Sequence, residues 1–234
     1  MGTVMKFRTG NLAVVLTTII IVAASTAGCG LHSQSVMVKR PSNKALDEVV
    51  TKRWAAEVRL HAQQGDWILT RSYTKLSDAI VLLTSGDEFS HGTIYDAKRD
   101  LIIEAVDTGV QEIPLEQLVR RTNDLMIVRP SVSAADRARA VERARSKLGV
   151  PYDVRGLFGV EDPDRFYCSE LVYWSIDPRA HGMDTPLVIS PADLIRAGHV
   201  VWYSGSRADA HATLGRKPDK QATGHRSQAT GDRQ

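Results

Sequence analysis

Hydrophobic and polar positions alternate in short runs between residues 65 and 204, and this pattern predicts a sheet with helices beside it. Apolar and β-branched runs bounded by turn residues are typical of strands. The predicted strands cover residues 65–70, 90–95, 101–106, 110–113, 125–128 and 199–203. Apolar residues at helical spacing predict four helices. They cover residues 76–84, 115–121 and 133–148, and a stretch from Cys168 to just before Pro178. Antiparallel strands with separately grouped helices indicate an α+β fold.

The two flanks of this region have a different composition. Residues 42–64 mix apolar with charged side chains and predict a leading helix, although a spacer that lifts the domain off a membrane fits the same stretch. Residues 205–234 are predicted to form a disordered tail, because their polar composition offers too little apolar surface to bury. One folded domain is therefore expected over residues 65–204.

The first 28 residues have the layout of a secretory signal. Lys6 and Arg8 precede an apolar stretch at residues 12–24 that is short for a membrane span, and small residues follow it. The sequence Ala27-Gly28-Cys29 resembles a bacterial lipobox, in which the cysteine becomes the acylated first residue of the mature protein. Two or three acyl chains hold a protein firmly on a membrane. Simple secretion and an uncleaved anchor are the alternatives.

If the lipobox interpretation holds, residues 29–41 form a tether and the protein lies in the bacterial cell envelope, facing the periplasm. Gly30 follows the cysteine, whereas an Asp at that position resembles an inner-membrane retention signal. The outer membrane is therefore the expected location.

Charge and motif content exclude several functional classes. Removal of residues 1–28 takes away two basic residues and no acidic one, so the formal net charge falls from +3 to +1. This balance gives no electrostatic reason to expect a nucleic-acid partner. The sequence contains no His-Glu-x-x-His or Cys-x-x-Cys motif, no phosphate-binding loop and no Gly-x-Ser-x-Gly elbow. We therefore expect no metal and no cofactor.

Cys168 is the one cysteine that remains once Cys29 is assigned to lipid attachment. A single thiol in an extracytoplasmic domain cannot form an internal disulfide, so it is either a buried small residue or a nucleophile. Cys168 lies where a helix is predicted to begin, and a helix N-terminus lowers the pKa of a nearby thiol. We interpret it as a nucleophile.

A nucleophilic thiol needs a base, and the base needs a group that orients it. His91 opens a predicted strand, so its ring can project from a rigid element. Glu104 is the sole charged residue in the apolar run 101–106 on the next strand. A carboxylate in so apolar a strand is costly without a partner. A hairpin would place Glu104 beside His91, although one of the many arginines could also pair with it.

Four segments resemble the NlpC-type papain-like peptidases. They are SHGTIY at residues 90–95, IEA at 103–105, LGVPY at 148–152 and YCSELV at 167–172. The histidine precedes the cysteine here, as in the circularly permuted YiiX/YebB-like branch, whose members include the lipoprotein YaeF. The resemblance covers about residues 60–204. Glu104 replaces a second histidine, and Tyr167 replaces an aspartate, of the unpermuted members.

The resemblance implies a papain-like fold, with a small antiparallel β-barrel or sheet packed on the helix that carries the cysteine. It implies Cys168 as nucleophile, His91 as base and Glu104 as the orienting residue. Tyr167 and Tyr152 are candidates for contacts with the oxyanion or the substrate, and simple packing is the alternative for Tyr167. The expected function is a membrane-anchored thiol hydrolase that cleaves peptide or acyl-amide bonds through an acyl-enzyme.

Two other functions fit the same sequence. Permuted relatives resemble lipid acyltransferases and phospholipase-like thiol enzymes, which would make a lipid acyl group the substrate. A non-catalytic lipoprotein that binds a component of the envelope is the third interpretation. The expected partners are therefore a peptide, amide or lipid acyl substrate, and the membrane through Cys29.

Overall fold

The structure is a computed structural model that describes residues 38–73, 88–160 and 162–215. The signal segment with Cys29, the helix predicted at residues 76–84 and the last residues of the chain lie outside these ranges. The strands are β1 Trp67–Ser72, β2 His91–Asp96, β3 Leu101–Val106, β4 Gly109–Pro114, β5 Thr122–Pro130 and β6 Gly198–Tyr203. The helices are α1 Lys44–His61, α2 Leu115–Arg120, α3 Ala134–Arg145, α4 Cys168–Ser175, α5 Pro191–Arg196 and α6 Arg207–Gly215. Short 3₁₀ turns lie at Gly156–Phe158 and Pro178–His181.

The six strands form one antiparallel sheet in the order β4-β3-β2-β1-β5-β6. Within the described residues the edge strands β4 and β6 do not pair with each other, so this is an open sheet rather than a closed barrel. The α+β class predicted from the strand and helix pattern is confirmed. Among the same residues, no helix is both long enough and apolar enough to cross a bilayer.

Helices cover both faces of the sheet because side chains alternate along each strand. Trp67 and Leu69 of β1 pack toward α4 in one hydrophobic cluster, whereas Ile68 between them packs toward α1 in the other. On α1, Trp54 and Val58 are buried against that second face. The leading helix is therefore part of the folded core and not a spacer.

Helix α6 lies within the region predicted to be a disordered tail, so that prediction is wrong for residues 207–215. Arg207 is fully buried, and its guanidinium donates to Thr122 O at 2.8 Å, to Asp47 Oδ1 at 3.0 Å and to Thr51 Oγ1 at 3.0 Å. It also lies 4.8 Å from the centre of the Trp54 ring. The composition of the tail misled the prediction because a buried arginine attaches this helix to the domain, together with the apolar contacts of Ala210 and Leu214 with the core.

Candidate active site

Helix α4 places Cys168 in its first turn, at the sheet surface. The start of the helix is fixed by Glu170, whose Oε2 accepts a hydrogen bond from the backbone N–H of Tyr167 at 3.2 Å. Leu171 and Val172 are fully buried and hold the helix against the sheet. The first N–H groups of a helix have no partner within the helix, so they stabilise negative charge on a sulfur placed there.

The side chains of Cys168 and His91 interact across the α4–β2 contact, and each shifts the pKa of the other. Cys168 is 4% exposed, and the backbone N–H of Gly92 also helps to lower the pKa of its thiol. Gly92 leaves room for α5 to pack on β2, because a Cβ atom there would lie 2.8 Å from Leu194 Cδ1. The sequence analysis assigned no role to Gly92, although a glycine directly after the candidate base was visible in the sequence.

Glu104 holds the other side of the His91 ring. The Nε2 atom of His91 lies 2.8 Å from Glu104 Oε2, which leaves Nδ1 as the ring nitrogen that can face the thiol. Ile94 pairs with Ile103, and continuing this register places Glu104 diagonally across from His91 on the same face of the sheet. The structure thus brings together the three residues that the sequence analysis expected to meet.

Two further side chains bind the Glu104 carboxylate, and the sequence analysis named neither of them. Gln111 Nε2 donates to Glu104 Oε1 at 2.9 Å, and Arg121 Nη2 donates to the same Oε2 atom that faces His91. The Glu104 side chain is fully buried, so these contacts replace the water that a carboxylate would otherwise bind. Glu104 therefore pairs with both of the partners that the sequence analysis treated as alternatives, a histidine and an arginine.

These contacts favour an ion pair between thiolate and imidazolium. Burial raises the pKa of Cys168, but the hydrogen bond and positive charge of His91 outweigh burial and lower that pKa to about 7. Burial lowers the pKa of His91, but its hydrogen bonds to Cys168 and Glu104 raise it to about 9. Burial raises the pKa of Glu104, yet His91, Arg121 and Gln111 lower it to about 2. Glu104 therefore stays ionised at every pH at which the other two groups titrate.

The two candidate tyrosines occupy different environments. The Tyr152 hydroxyl lies within hydrogen-bond reach of both the sulfur and the backbone N–H of Cys168, and burial together with the thiolate charge raises the pKa of Tyr152. A backbone bridge to Phe166 holds Tyr152 in this position. Tyr167 is buried in the core, and its hydroxyl accepts the Ile189 N–H at 2.6 Å. The structure therefore favours packing over oxyanion binding for Tyr167.

A cleft of about 520 Å³ opens onto the thiol. Cys168, His91 and Tyr152 form its floor, and Arg40 and Arg121 contribute to its wall. The remaining lining residues are small, polar or aromatic side chains from β1, β3 and the segments next to them. They are Thr70, Ser72, Tyr73, Ser90, Ala105, Val106, Asp107, Thr108 and Gln111. The cleft is large enough for a small peptide-like or acyl-amide group beside the sulfur.

A comparison with protein families gives a match over residues 61–186. The matching family is described as a permuted papain-like amidase enzyme, YaeF/YiiX, C92 family. The matched region includes Cys168, His91 and Glu104, and it covers more than half of the chain. No curated protein matches the chain with significance.

Proposed function

We propose that Cys168, His91 and Glu104 form the catalytic triad of this protein, which belongs to the permuted papain-like amidase family and is a cysteine hydrolase. The observation that carries the proposal is the continuous chain of contacts from the thiol through His91 to a buried carboxylate. A buried cysteine that only fills space does not require a histidine beside it, and a structural histidine does not require a buried carboxylate. All three features at one cleft are those of an activated thiol nucleophile.

The reaction proceeds in two halves. The Cys168 thiolate attacks the carbonyl carbon of the amide and forms a tetrahedral intermediate. The protonated His91 ring gives its Nδ1 proton to the leaving nitrogen, the C–N bond breaks and the amine departs, leaving a thioester on Cys168. His91 is then neutral and accepts a proton from a water molecule, which attacks the thioester. The carboxylic acid leaves and the ion pair is restored.

The developing oxyanion needs hydrogen-bond donors in both halves. The backbone N–H of Cys168 and the hydroxyl of Tyr152 lie next to the sulfur, so a substrate carbonyl oxygen held between them would accept from both. Glu104 keeps the His91 ring oriented and stabilises its positive charge throughout. The family description supports amide cleavage over transfer of a lipid acyl group.

Alkylation of Cys168 tests the triad without a known substrate. Full-length protein is treated with iodoacetamide at near-neutral pH, and labelling is followed by mass spectrometry on the peptide that contains Cys168. We expect Cys168 to react faster than a free model thiol, because the ion pair keeps it ionised. His91→Ala should slow this reaction, and Cys168→Ala should abolish the signal. A wild-type rate no higher than that of the model thiol would refute the proposal.

We also propose that the mature protein begins at an acylated Cys29 on the periplasmic side of an envelope membrane. The support comes from the basic head, the short apolar stretch and the small residues that precede Cys29. Mass spectrometry of the mature N-terminus tests this location. An unmodified N-terminal peptide that begins at another residue would contradict it and would leave the triad unaffected.

A further inference from the structure

Two arginines on the cleft wall have hydrogen-bond donors that the protein does not use. A guanidinium group carries five N–H donors in a planar fork that matches a carboxylate. Arg121 binds Glu104 through Nη2, and its Nε and Nη1 atoms have no partner within the described residues. Its side chain is 36% exposed and lines the cleft. Arg121 therefore connects the triad to the space that the substrate occupies.

Arg40 contributes a second guanidinium to the same cleft. Its Nε and Nη2 atoms bind Asp47 Oδ2 at 3.1 and 2.6 Å, and Nη2 also donates to Arg120 O at 2.7 Å. In the described part of the chain, Nη1 has no partner. The guanidinium also lies 5.8 Å from the centre of the Tyr73 ring, another lining residue. These contacts fix the orientation of Arg40, which lines the cleft, and leave its Nη1 donors unused by the residues that the structure describes.

Little negative charge competes for these donors within the cleft. Asp107 is the one carboxylate among the described lining residues, and its Oδ1 already accepts the Thr108 N–H at 3.0 Å. Glu104 binds Arg121 and Asp47 binds Arg40, and these contacts hold the two guanidinium groups in place. A carboxylate on a substrate would meet donors that are oriented before it arrives, which lowers the entropic cost of binding it.

We propose that Arg40 and Arg121 recognise a carboxylate group on the amide substrate, so that the cleft selects amides that carry a free carboxylate near the bond to be cleaved. This inference rests on the proposed triad, because it places the substrate beside Cys168. Arg121 would then serve two partners: one N–H positions Glu104, and the others bind the substrate.

Two alkylating agents that differ in charge test this inference directly. Iodoacetate carries a carboxylate and iodoacetamide does not, and both alkylate a thiolate. The measured quantity is the rate constant for iodoacetate divided by that for iodoacetamide, both determined on the Cys168 peptide of the full-length protein. Changes in thiolate reactivity affect both agents and cancel in the ratio, so the ratio reports recognition of the carboxylate.

We expect the ratio to fall by roughly threefold to fivefold in each of Arg40→Gln and Arg121→Gln, from the loss of one nearby positive charge. Arg121→Lys keeps the charge but loses the planar fork, so its ratio should lie between those of the wild type and Arg121→Gln. Arg139→Gln removes an exposed arginine outside the cleft lining and serves as the matched control, with an unchanged ratio. Circular dichroism confirms that each variant is folded.

An unchanged ratio in both Arg40→Gln and Arg121→Gln would overturn the inference. Failure of the proposed triad would appear differently, as a slow absolute rate with iodoacetamide in the wild-type protein. The two failures are therefore distinguishable in one data set.

Discussion

Glu104 and Asp66 are both fully buried carboxylates bound by arginine, yet they lie in different surroundings. Asp66 accepts from Arg129 Nη2 at 2.7 Å and from the backbone N–H of Gln63 at 2.8 Å, and it lies 3.6 Å from Arg137 Nε. These arginine side chains are only 18% and 9% exposed. Asp66 thus joins the end of α1, strand β5 and helix α3 through one backbone N–H and two arginines.

Glu104 differs because one of its partners can gain and lose a proton. The His91 ring is titratable, with its pKa raised to about 9 by its hydrogen bonds to Cys168 and Glu104 against the effect of burial, and Arg121 is partly exposed and lines the cleft. Burial of a carboxylate beside an arginine is therefore not in itself the mark of an active site. The distinguishing feature is a titratable partner of the carboxylate that also lines a cavity.

Asp66→Asn should produce the largest change in stability. The substitution preserves shape but leaves two poorly exposed arginines without their counter-ion, and breaking a buried ion pair costs about 3–5 kcal/mol. We expect a loss of this size in the free energy of unfolding, measured by urea denaturation. The alkylation rate of Cys168 in the folded variant should stay at the wild-type value. A large fall in that rate would remove the distinction between the two carboxylates.

Glu104→Gln is the matched substitution at the other carboxylate. Here we expect a loss of about 1 kcal/mol in stability, because Arg121 can turn toward water and His91 can become neutral. Reactivity should suffer more: the rate of Cys168 alkylation near pH 8 should fall by roughly tenfold as the imidazolium loses its counter-ion. A loss of stability equal to that of Asp66→Asn with full reactivity would make Glu104 a structural residue.

The pH profile should show the smallest and most specific effect. With the pKa of Cys168 at about 7 and that of His91 at about 9, the ion pair is most populated between these values. Below this window the thiolate is protonated, and above it the imidazolium loses its proton.

Glu104→Gln should narrow the pH range over which the Cys168–His91 ion pair is populated. Loss of the negative charge lowers the pKa of His91. Because the imidazolium is then less populated, it stabilises the thiolate less, and the pKa of Cys168 rises. Titration of the ring by NMR and of the thiolate by ultraviolet absorbance measures both limits. Asp66→Asn is the control, and both limits should remain in place in that variant. Limits that do not move in Glu104→Gln would mean that the carboxylate has no influence on the pair.

The elements that the sequence predicts well are those set by local pattern. Strands β2 and β3 and the start of α4 appear close to where alternation and turn residues place them, and so do Cys168, His91 and Glu104. The helix predicted to begin at residue 133 is capped by Ser133, whose side chain accepts the Asp136 N–H. In each case the determining residues are neighbours in the sequence.

The features that the sequence did not reveal depend on distant residues. Arg121 reaches Glu104 from the end of α2, and several other arginines carry the same charge, so the sequence did not single it out. Gln111 is nearer and lies directly opposite Glu104 on β4, a pairing that depends on the register of the β3–β4 hairpin. Arg207 orders α6 through acceptors far away in the sequence. Tyr167 could be assigned to packing only once its hydroxyl was found against Ile189. Periodicity carries no information about such pairs.

The order of the site residues along the chain has a consequence for synthesis. The base and its carboxylate lie on one hairpin, β2–β3, whose contacts are local and form rapidly. The nucleophile follows on α4 after two more strands and two helices. A chain made from its N-terminus therefore contains both His91 and Glu104 before Cys168 has been added. The thiol can pair with His91 only when α4 packs on strands that precede it in the chain.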